Sequence, residues 1–92
     1  MLIPLFIELE GRRCLIVGGG SVAVRKARSL AGAGARVRVV APEADPAFAS
    51  MAGCEVSLRA FAPGDVEGCA LVVVATDDRE LNRRVARSEA HV

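Results

Sequence analysis

The stretch Cys14-Leu15-Ile16-Val17-Gly18-Gly19-Gly20-Ser21-Val22-Ala23 constrains this chain more than any other. It reads as a short apolar strand, a glycine turn and the opening of a helix. A helix start leaves backbone N–H groups unpaired and carries partial positive charge. Glycines at that junction let a pyrophosphate approach the backbone within hydrogen-bonding distance. The spacing G-x-G-x-x-A, running through Gly18, Gly20 and Ala23, is the alanine-ending form of the dinucleotide-binding fingerprint.

The flanking pattern supplies the context this motif needs. Arg13 to Val17 reads as the first strand. Ser21 to about Ala31 reads as a helix with Ala23, Ala27, Leu30 and Ala31 on one face, ended by Gly34. Arg36 to Ala41 is a Val-rich second strand, stopped by Pro42. Asp45-Pro46 looks like an N-cap with proline at the first helical position, predicting a short helix to Met51 or Ala52 that Gly53 closes. Glu55 to Ala60 reads as an edge-type third strand, and Pro63-Gly64-Asp65 as a turn. The apolar run Ala70 to Ala75 fits a strand covered on both faces of a parallel sheet. Asp77 and Glu80 stand at capping-box spacing for a last helix carrying Leu81 and Val85 one turn apart.

Strands alternating with helices predict an α/β fold, a doubly wound parallel sheet with strand order 3-2-1 and the fourth strand beside the first. The fourth strand would then be an apolar edge, which natural proteins avoid. The expectation is that more chain or a partner follows Val92.

Composition narrows the function. The chain has 92 residues, enough for one domain with a modest core. Its net charge of +1 and 3% aromatic content leave neither a basic footprint nor stacking platforms for nucleic acid. Cys14, Cys54 and Cys69, with His91 as the one histidine, make no zinc set and read as reduced thiols of a cytoplasmic protein. The apolar run Leu2 to Leu9 is interrupted by Pro4 and Glu8 and lacks a basic lead, so neither a signal peptide nor a membrane span is expected.

In the binding reading Gly18 makes the tight turn and Gly20 clears the pyrophosphate path. Ala23 permits close helix-to-strand packing, while Ser21 and Val22 offer first-turn N–H groups. The competing reading has the glycines merely tightening the turn of a ligand-free sheet. Arg25 and Lys26 stand where cations are disfavoured; they are either solvated or offset by a bound anion. Pro42 ends the second strand, and Glu43 after it could accept from ribose hydroxyls, favouring NAD over NADP. Arg36 and Arg38 on the same strand keep a 2′-phosphate open. Across the switch point Thr76 could touch the ligand; Asp77 and Asp78 read as helix caps, and Asn82 receives no role. A nucleotide-sensing regulatory module and an S-adenosylmethionine-binding methyltransferase domain are the alternatives.

Pro4-Leu5-Phe6, Leu15 to Ala23 with Arg25-Lys26-Ala27, Gly34 to Val37 with Val40 to Glu43, and Ala75 to Asp78 with Leu81-Asn82 together resemble the N-terminal Rossmann-like domain of siroheme synthase and precorrin-2 dehydrogenase. The resemblance implies oxidation of precorrin-2, a tetrapyrrole, to sirohydrochlorin with NAD as hydride acceptor, and in some members insertion of ferrous iron. It implies cofactor contacts at Ser21, Val22, Pro42 and Glu43, and a homodimer built by a later helical segment. The family's catalytic aspartate stands on the next strand, so residues 1–92 are expected to be an incomplete NAD-binding domain without catalytic residues or metal ligands. Neither nucleic acid nor membrane is an expected partner.

Overall fold

The computed structural model describes residues 8–90. Pro4-Leu5-Phe6, His91 and all of the Leu2–Leu9 run except Glu8 and Leu9 lie outside the described residues. The elements follow in the order β1 (Arg13–Val17), α1 (Ser21–Gly32), β2 (Arg36–Ala41), a 3-10 helix η1 (Pro46–Ser50), β3 (Cys54–Leu58), a second 3-10 helix η2 (Pro63–Val66), β4 (Leu71–Val74) and α2 (Arg79–Ala90). All strand pairs are parallel, in the order β3-β2-β1-β4. This is the expected doubly wound order, 3-2-1 with the fourth strand beside the first.

Side chains alternate between the two faces of each strand. Cys14, Ile16, Val37 and Val39 face α1 and η1, where Ala23, Val24, Ala27 and Phe48 complete one core. Ala23 and Ala27 are fully buried, because only small side chains let α1 lie against the sheet. Leu15, Val17 and Val40 point to the opposite face and pack with Phe61, Val66 and Val85. Val85 is wholly buried and, with the partly buried Leu81, ties α2 to that face.

Several expectations need correction. The helix foreseen after Asp45 is a single 3-10 stretch. The Asp45 carboxylate does accept from the Ala47 N–H at 2.9 Å, but Phe48 is the one buried anchor and the chain turns at Gly53 with φ of +78°. β3 ends at Leu58, before Ala60, because Arg59 leaves the ladder: its N–H donates to Ser57 O, and its guanidinium turns to Asp65. The Pro63-Gly64-Asp65 turn is a 3-10 helix capped by Asp65, which accepts from the Ala62 N–H at 2.8 Å. β4 is not covered on both faces. Leu71, Val72 and Val73 are half-buried and Val74 is 38% exposed, as an edge position dictates. The last helix is capped by Asp78, not Asp77: its carboxylate accepts from the Leu81 N–H at 3.1 Å.

Cys14 is buried and Cys54 and Cys69 are half-buried; all three are free, and burial pushes each thiol above its ordinary pKa. No helix among the described residues is long and apolar enough to cross a membrane.

The Arg59–Asp65 pair closes the loop between β3 and η2, with the Asp65 side chain only 7% exposed. Hydrogen bonding from Arg59 holds the Asp65 carboxyl below the usual carboxylate range, against the opposing pull of burial. The folded state therefore releases this proton more readily than the unfolded chain. The contribution is complete well above about pH 4, the unfolded value, and disappears as pH falls through the lower folded-state value. Asp65→Asn is expected to lower the thermal midpoint by about 5 °C at neutral pH, and the gap to wild type should close in strong acid. A gap that persists unchanged down the acid limb of a pH–melting series would show that the carboxylate charge contributes nothing.

Candidate functional site

The carboxyl ends of β1, β2 and β4 open into one cleft of about 590 Å³. Its floor is the glycine turn between β1 and α1. Two hydrogen bonds hold this turn from the β2 side: the Gly18 N–H donates to Val40 O at 3.1 Å, and Gly19 O accepts from the Asp45 N–H at 2.7 Å. The Ala75 N–H donates to Val17 O at 2.9 Å just before the turn.

The three glycines have different reasons to be glycine. Gly18 has φ of +129°, and a Cβ there would collide with the Ala75 carbonyl. At Gly19 a Cβ would collide with the Glu43 carbonyl and press on Ala44. A Cβ on Gly20 would meet nothing within 4 Å. The first two are demanded by the protein's own backbone, whereas the third borders empty space. The tight turn expected at Gly18 is present. The steric demand at Gly19 was not foreseen.

Gly20 is the N-cap of α1, and no side chain caps that end. The first turn contains no acidic residue, so its positive end faces outward uncompensated. Ser21 and Val22 are exposed there, Val22 at 43%. Pro42 and Glu43 form the neighbouring wall at the tip of β2, and Thr76 forms the far wall. Of the foreseen contact residues, Gly18, Gly20, Pro42, Glu43 and Thr76 line the cleft directly; Ser21 and Val22, which follow Gly20 on the helix start, do not line it. Phe61, Leu81 and Arg84 also line it and were not foreseen. Nothing local to their sequence marks them, since the crossovers alone bring them to this edge.

Arg36 and Arg38 do not reach the site. They stand at the start and third residue of β2, so Arg38 lies about 10 Å of strand below the tip at Ala41. Arg38 instead approaches Glu55 at 3.9 Å on an open part of the sheet. Arg25 and Lys26 are exposed. Arg25 and Arg28 line a separate hollow with Ser21 and Asp45 on the outer side of the turn.

The glycine geometry makes a sharp prediction. Gly19→Ala forces the turn off Glu43 and is expected to destabilise the fold by about 1–3 kcal/mol, the usual range for overpacking. Gly20→Ala should leave unfolding in urea within about 0.5 kcal/mol of wild type. Equal losses at the two positions would contradict the structure.

A family model described as "Putative NAD(P)-binding" matches residues 5–91. Siroheme synthase from Pseudomonas entomophila (strain L48) is 53% identical over 87 residues, which is 91% of this chain and 19% of that protein. Siroheme synthase from Azotobacter vinelandii (strain DJ / ATCC BAA-1303) is 52% identical over 92 residues, covering 97% of this chain and 20% of that protein. Among solved structures, "SirC, precorrin-2 dehydrogenase" superposes with a TM-score of 0.84 at 28% identity, over 92% of this chain and 44% of that one. The chain thus spans about a fifth of the siroheme synthases it matches. The family match takes in every strand of the sheet, the glycine turn and both walls of the cleft: this chain belongs to the NAD(P)-binding family.

Proposed function

We propose that this chain binds NAD for the oxidation of precorrin-2 to sirohydrochlorin in siroheme biosynthesis. The carrying observation is the uncapped start of α1, whose first-turn N–H groups open beside Gly20 onto the cleft. Such an end is suited to a pyrophosphate, and the space beside Gly20 is where a phosphate would need room. Gly20, Ser21 and Val22 would grip the diphosphate, with Gly18 shaping the turn that presents them. Pro42 and Glu43 would border the adenosine ribose, and Thr76 the other side of the dinucleotide. The bound nicotinamide supplies the hydride acceptor; in the overall reaction precorrin-2 loses a hydride to it and a proton to solvent. No catalytic residue is assigned to this chain.

The preference for NAD over NADP rests on the tip of β2. Glu43 there would accept hydrogen bonds from ribose hydroxyls and repel a 2′-phosphate, while Arg36 and Arg38 are too far down the strand to offset it. The relatives' names carry the choice of substrate; the same reading makes the intact protein a cytoplasmic homodimer, testable by sedimentation.

Calorimetric titration of the intact protein with NAD, NADP, ATP and S-adenosylmethionine tests the reading. NAD is expected to bind best, and Gly20→Val should weaken it at least tenfold, about 1.4 kcal/mol, without loss of fold. Glu43→Ala should narrow the preference for NAD over NADP by about tenfold. Tight binding of S-adenosylmethionine without NAD would overturn the proposal. Failure of the intact protein to form NADH from precorrin-2 and NAD would reduce it to a binding module.

A further inference from the structure

The loop from β4 to α2 carries Thr76 into the cleft, and four hydrogen bonds define its shape. The Thr76 hydroxyl accepts from the Asp78 N–H at 2.9 Å. The Asp78 carboxylate accepts from the Leu81 N–H, and the Asp78 carbonyl accepts from the Asn82 N–H at 2.9 Å. The ring closes when the Asn82 side-chain amide donates to the Thr76 carbonyl at 3.0 Å. Thr76 is thus held at both its hydroxyl and its carbonyl. Its hydroxyl oxygen already accepts one bond, so its proton remains for an acceptor in the cleft.

Asn82 holds this loop at a cost. Its Oδ1 is buried and has no partner among the described residues. A buried carbonyl oxygen left without a donor disfavours the folded state, because it gives up water and gains no partner. An apolar side chain of similar size would avoid that penalty. A residue that weakens the fold at one end while fixing a cleft-lining loop at the other fits a positioning task better than a structural one.

We infer that Asn82 is a positioning residue for the dinucleotide: it locks the Thr76 carbonyl so that the Thr76 hydroxyl presents its proton to an acceptor oxygen of the bound cofactor. This rests on the NAD-binding reading above and adds a residue that does not itself line the cleft. Leu81 and Arg84, from the same helix, do line it; Asn82 acts one bond behind them, through the backbone.

The test pairs affinity with stability in the intact protein. Asn82→Leu is expected to lower NAD affinity about tenfold while leaving the thermal midpoint of the unliganded protein unchanged or raised. Thr76→Val should give a similar loss, and the double variant should be no weaker than Thr76→Val alone, because both remove one coupled contact. In the unliganded protein, Asn82→Leu should speed hydrogen exchange at the Asp78 amide. Unchanged affinity in Asn82→Leu would overturn the inference. So would a loss matched by a lowered midpoint, or additive losses in the double variant. If wild type binds no NAD at all, the functional proposal fails instead, and exchange at Asp78 then decides for or against the loop-positioning role of Asn82.

Discussion

One backbone turn, threaded between two neighbouring strands, sets the geometry on which the rest of this structure depends. β1 is buried from Cys14 to Val17 and hydrogen-bonded to a strand on each side, so the chain leaving it has little room. The carbonyl of Ala75 crowds Gly18 from the β4 side, and that of Glu43 crowds Gly19 from the β2 side. A side chain at either position would push the start of α1 away from the sheet. Ala23 and Ala27 could not then stay in the core, and the helix end would no longer point into the cleft. Fold and site therefore share one steric condition.

Much of this architecture was legible along the chain. β1 and β2 begin and end where their apolar residues, Gly18 and Pro42 indicated, and Ala23, Ala27, Leu30 and Ala31 marked the inner face of α1. What was not legible came from contacts between distant parts of the chain. The demand for glycine at position 19 originates in a carbonyl after β2, so no local pattern reveals it. In sequence the spacing to Glu80 points to Asp77 as the cap. The Thr76 hydroxyl, by turning the chain onto the Asp78 N–H, selects Asp78 instead. Asp45-Pro46 announces a helix start correctly but not its length. The next large apolar residue after Phe48, Met51, is already extended and packs half-buried against the core from outside the helix, so no further turn forms before Gly53.

The two sheet faces divide the labour. One face is closed by α1 and η1 and holds the larger apolar cluster. The other is apolar along Leu15, Val17 and Val40, under Phe61, Val66 and Val85, while Arg36, Arg38 and Glu55 occupy its open part on β2 and β3. This explains why the Arg-Val-Arg-Val pattern of β2 suits a strand with one covered and one partly wet side. It also explains why basic residues that stand close to the glycine turn in the register of β2 are remote from the cleft.

The glycines at 18, 19 and 20 would leave different marks over evolutionary time. The first two answer to the protein's own packing, so any descendant that still folds must keep them small. The third answers only to whatever fills the hollow beside it. A lineage that abandoned its ligand could let that position drift while the scaffold stayed intact, which makes the residue there a historical witness to occupancy.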